Sequence, residues 1–169
     1  GSGLLQQQGS VRIEDGLTKM NPLLVAGALA LAPLAAAPWQ DYPKAEIGNG
    51  LLRVEIYLPD AGKGYYRATR FDWSGVICRL EYQGHNYFSP WQPKHDPLVH
   101  NSICGPVDTF EANLGYEEAA PGGFFVRIGV GVLQKPEDPG FRPGMMSLYK
   151  VVDPGNWRIE RGEAWIRFT

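Results

Sequence analysis

The sequence has no surplus of charge. Its 16 Lys and Arg stand against 18 Asp and Glu, a formal net charge of −2. A polyanion would find no basic field to draw it in, so a nucleic-acid partner is excluded. Cysteine is scarce as well. Cys78 and Cys104 are the whole complement, and they form no CxxC pair. Thiol-redox motifs and structural zinc sites therefore lack their usual spacing. His95 and His100 share a loop region without a third ligand at close spacing, so no metal site and no cofactor are expected. Gly129 and Gly131 lack the further glycine and the helix that would make a phosphate loop. After Pro38 no sustained helical stripe appears, which excludes a helical domain.

Glycine and proline are plentiful, with 21 and 14 residues, and call for many turns. Apolar residues at 44% and charged residues at 20% describe a globular chain, and 169 residues suggest a single domain. Residues 1–19, with GSG and the Gln6-Gln7-Gln8 run, read as a leader or tag. Met20 opens an apolar stretch that closes on Ala35-Ala36-Ala37, the core and small-residue exit of a secretory signal peptide over 20–37. The stretch is too short and, with Pro33, too broken for a good membrane span. A buried apolar helix or linker is the competing reading. Export implies a secreted or periplasmic location, where Cys78 and Cys104 can form one internal bridge. Two buried thiols remain the alternative.

Residues 38–169 carry a period of two. Leu52, Val54, Ile56 and Leu58 alternate with more polar neighbours, and Val76, Cys78, Leu80 and Tyr82 do the same. Phe124, Val126, Ile128, Val130 and Val132 form a longer run that reads as one strand. Asn49-Gly50, residues 59–62, residues 83–86 and residues 121–123 supply turn chemistry between the runs. Residues 158–168 read as a hairpin turning at Arg161-Gly162. The expected fold is all-β, an antiparallel β-sandwich or barrel. The terminal run 164–168 is good strand sequence. It suggests a domain continued beyond this chain, or a strand open to a second copy or a C-terminal partner segment. A structural or assembly β-protein is thus the alternative function.

Residues 65–77, YYRATRFDWSGVI, set two arginines and an aspartate among aromatic rings on what reads as strand, turn and strand. Guanidinium and carboxylate groups beside flat apolar faces suit a polyhydroxylated ring. Ordinary strand surface is the plain alternative. The order EIGNGLLRVEIYLP (46–59), YYRATRFDWSGVICRLEYQGHNYF (65–88), HNSICGPVDTF (100–110), FFVRIGVGVL (124–133) and WRIERGEAWIRF (157–168) resembles the galactose mutarotase-like proteins, the aldose 1-epimerase superfamily. It is nearer to their exported members than to the epimerases. The resemblance implies a partial β-supersandwich and a carbohydrate ligand. It implies sugar-facing roles for Arg70, Asp72, Trp73, His100 and Asp108. The superfamily's acid and base lie in a C-terminal half that this chain does not match, so no mutarotation is expected from it alone. Where the superfamily has a histidine followed by two glycines, this chain has His100 and then Cys104-Gly105-Pro106.

Overall fold

The computed structural model describes residues 41–169 except Glu111 and Met145. The leader and signal-peptide readings lie outside the described residues. What is described is all-β: three antiparallel sheets and, among these residues, no helix. No helix among them is long and apolar enough to cross a membrane.

The first sheet runs β1 (Lys44–Gly48), β2 (Leu52–Tyr57), β3 (Val76–Tyr82) and β4 (His85–Asn86), each paired to the next. Asn49 shapes the first turn, its Oδ1 accepting from the amides of Leu51 and Leu52 at 3.0 and 2.8 Å. Gln83 and Gly84 both take positive φ (49° and 77°), the two-residue turn whose twist matches a hairpin. The alternation read from the sequence is visible in β3, where Val76 and Cys78 are buried while Ile77 and Arg79 are only partly covered. On the solvated side Arg53 bridges Glu46 and Glu81, at 2.6 and 3.1 Å.

The second sheet is β5 (Asn113–Leu114), β6 (Phe124–Arg127), β7 (Gly131–Gln134) and β8 (Lys150–Asp153), in that order. Here the long-strand reading of residues 124–132 is corrected. The run folds back on itself, with Arg127 opposite Gly131 and Phe124 opposite Gln134. Gly129 (φ 75°) and Gly131 (φ 126°) allow the reversal. The phase also differs from the alternation read in sequence. Phe125 and Arg127 are buried, and Phe124 and Val126 face solvent.

The third sheet is the hairpin β9 (Ile159–Arg161) and β10 (Ile166–Phe168). Its turn is wider than a two-residue one: Gly162 donates to the Trp165 carbonyl at 3.0 Å. The Gly48 amide donates to the Glu163 carbonyl at 2.8 Å, joining this hairpin to the first sheet.

Residues 65–73 form no strand, although the sequence suggested one. Tyr65, Tyr66, Ala68, Thr69, Phe71 and Trp73 are all buried, so the segment has no solvated face to alternate with. It threads the core as an irregular chain whose amides find scattered partners. Arg67 donates to Pro97 O (2.8 Å), Asp72 to Asp108 O (2.9 Å) and Trp73 to Gly129 O (2.9 Å). Cys78 and Cys104 are free buried thiols in contact with each other, so the structure shows the reduced form of the two alternatives.

Candidate functional site

The threading segment positions Arg70, and the β6–β7 hairpin positions Arg127. Both line a pocket of about 240 Å³ with Thr109, Phe110, Asn113, Pro143 and Gly144. Arg127 is held firmly. Its Nε donates to Asn113 Oδ1 at 2.8 Å and its Nη1 to the Thr69 carbonyl at 2.5 Å. Its guanidinium carbon lies 5.2 Å from the Tyr149 ring centre. Neither bond uses Nη2. Burial pulls the Arg127 pKa below the usual arginine value. Arg70 sits over the Phe71 ring at 4.6 Å and donates to Asn101 Oδ1. The Thr109 hydroxyl donates to the Arg70 carbonyl at 2.9 Å, which ties the rim of the pocket to the threading segment.

His100 lies next to this pair. Its imidazole is 4% exposed, and neither ring nitrogen has a hydrogen-bond partner among the described residues. Burial first, then the charges of Arg70 and Arg127, push its pKa down, so the ring is neutral. Its carbonyl accepts from the Tyr66 hydroxyl at 3.1 Å. His95 is a different case. Its Nε2 meets the Tyr65 carbonyl and its Nδ1 the Ser102 hydroxyl, both at 2.9 Å, and its ring stacks on Tyr65. That is a satisfied structural histidine.

The five residues singled out in the sequence separate in space. Arg70 lines the pocket and His100 lies beside its two arginines. Asp72 faces elsewhere: its Oδ1 accepts from the Ser74 amide at 2.7 Å, and its carboxyl packs against Gly129. Trp73 is 3% exposed and donates from Nε1 to the Ala68 carbonyl at 2.8 Å, so its indole belongs to the core and offers no stacking face beside Arg70. Asp108 is exposed, and its backbone carbonyl is what meets Asp72. No group of three or more metal-ligating side chains occurs among the described residues.

Sequence reasoning missed Arg127 and Asn113. One signal was available. Arg127 falls in phase with Phe125 on a short strand, which sets a cation on the inward face once Phe125 is inward. No family model, curated protein or solved structure matches the chain.

Proposed function

We propose that the chain is an exported carbohydrate-binding protein of the galactose mutarotase-like type, and that its sugar site is the Arg70/Arg127 pocket. One observation carries this reading. Two guanidinium groups and the Asn113 amide converge on a small concavity that also has an aromatic wall, Phe110. Hydroxyls take hydrogen bonds from such donors, and a C–H face lies on such a ring. At about 240 Å³ the pocket is smaller than the usual ligand site of roughly 300–1,000 Å³, which limits it to a single sugar unit. Neither a carboxylate nor an imidazole is among its described lining residues. Ring opening needs both an acid and a base at the substrate, so the reading is binding rather than mutarotation.

Titration calorimetry against a panel of monosaccharides tests it. A binding sugar should lose roughly 1.5–3 kcal/mol of affinity in Arg70→Ala, the range for hydrogen bonds to a charged group. The variant should melt close to the parent. An Arg70→Ala protein that binds as the parent does removes this pocket from the sugar site. A parent that binds none of the panel removes the carbohydrate reading.

A further inference from the structure

The two cysteines form no CxxC pair, yet the fold brings them together. Cys78 lies on β3 in the first sheet, and Cys104 on the segment that follows His100. The backbones beside them are packed tightly. A Cβ at Gly105 would lie 2.1 Å from the Ile77 carbonyl oxygen, so the residue after Cys104 rests on the residue before Cys78. The Trp91 amide donates to the Ile103 carbonyl at 2.7 Å and the Gly105 amide to the Ser89 carbonyl at 3.3 Å, which holds the segment on both sides of Cys104. The two thiols themselves touch.

Their surroundings differ. Cys104 is 0% exposed, whereas Cys78 is 9% exposed and lines a cavity of about 400 Å³. Lys44, Glu55, Arg79, Asn86 and Ser89 give that cavity a polar lining. Cys78 is thus the outer thiol and Cys104 the inner one. Their acidities run the same way. A hydrogen bond from the Cys104 thiol pulls the Cys78 pKa below the ordinary thiol value, against burial and with smaller help from Tyr57. The same bond, and then burial, push Cys104 up. On ionising, Cys78 gives up the bond it donates to the Glu55 carbonyl at 3.5 Å. In such a pair the accessible thiol of lower pKa attacks, and the buried thiol is placed to resolve what forms.

We propose that Cys78 and Cys104 are a thiol–disulfide exchange pair: Cys78 attacks a small peptide disulfide of the oxidised-glutathione class through the cavity, and Cys104 resolves the product. Cys78 loses its proton, and its sulfur attacks one sulfur of the disulfide. The S–S bond breaks, and one glutathione leaves as a thiolate that takes up a proton. Cys104 then loses its proton and attacks the Cys78 sulfur, and the second glutathione leaves in the same way. Two protein thiols are oxidised to one disulfide, and one glutathione disulfide is reduced to two thiols. The new bond joins β3 to the segment that carries Asn101, whose side chain accepts from Arg70. This inference stands apart from the carbohydrate reading.

The test exposes the full chain, reduced and then freed of reductant, to oxidised glutathione at neutral pH without denaturant. Peptide mapping by mass should show the Cys78–Cys104 bond and no lasting adduct. Acid quenching at early times should catch glutathione on Cys78 and not on Cys104. Cys104→Ala should keep one glutathionyl group on Cys78. It should gain that group roughly tenfold or more faster than Cys78→Ala gains one on Cys104. If a variant does not fold, the parent's early-quench map and the urea dependence of its reaction decide. Glutathione arriving first on Cys104, or equal rates in two folded variants, would overturn the assignment. So would a parent whose thiols stay free in buffer. A reaction that climbs steeply with urea below the unfolding transition would overturn it too, because the thiols would then be reached by unfolding and not through the cavity.

Discussion

Trp73 and Arg70 differ by three positions, and the chain sends them to opposite fates. Arg70 reaches a pocket open to ligand; Trp73 disappears into the core. Their sequence context does not separate them, because both sit among aromatics in a segment with no regular period. What separates them is the irregular backbone, whose amides bond to Pro97, Asp108 and Gly129 instead of a neighbouring strand. The core role of Trp73 gives a clear expectation. Trp73→Ala should destabilise the fold by about 3–5 kcal/mol, as removal of a large buried ring does. Trp73→Phe should lose less, chiefly ring volume and the bond to the Ala68 carbonyl. It should bind sugar as the parent does. Urea denaturation and titration of the same samples check this. A Trp73→Phe protein of near-normal stability that no longer bound sugar would return the indole to the site.

At the scale of the element, the β6–β7 hairpin decides whether there is a pocket at all. It turns Arg127 inward and packs its own turn against Asp72. The run of alternating residues was legible in the sequence as β structure, and so were β2, β3 and the terminal hairpin. The reversal inside 124–132 was not, because two glycines at strand spacing fit both a long strand and a turn. What chooses the turn is a tertiary fact. A Cβ at Gly129 would lie 2.3 Å from the Asp72 carboxyl carbon, and φ there is 75°. No local pattern reports a neighbour 57 residues away, and the same ignorance hid Arg127. Gly129→Ala should therefore cost roughly 2 kcal/mol or more, a left-handed backbone penalty plus the clash. Asp72→Gly would remove the clash but not the backbone penalty. In a double-mutant cycle the second Gly129→Ala step should cost less than the first. Equal costs in both backgrounds would mean that the Asp72 contact does not constrain the turn.

Across the whole molecule, two histidines, His100 in the buried core and the half-buried His95, tie global stability to pH. Burial lowers the pKa of His100, helped by Arg70 and Arg127, and burial likewise lowers that of His95 against the smaller opposing effects of its hydrogen bond to the Tyr65 carbonyl and of the Asp96 charge. In the unfolded chain both return to the ordinary value of 6.5. Below that pH the unfolded state takes up protons that the native state refuses, so stability falls as the pH falls. Above it both states are neutral and the contribution is complete. The carboxylates held low by their partners, Glu46 and Glu81 by Arg53 and Asp60 by backbone amides, add a loss of the same sign only at lower pH. The interval just under pH 6.5 thus belongs to the histidines. Urea midpoints across pH 8 to 5 should be level at first and then decline, by at most about 1.4 kcal/mol per pH unit for each histidine. His100→Phe keeps a ring in the buried site and removes one titrating group, so it should reduce the decline without abolishing it. A parent whose stability holds level through pH 5 would show that the native fold accepts the protons. The neutral His100 beside Arg70 and Arg127 would then be wrong.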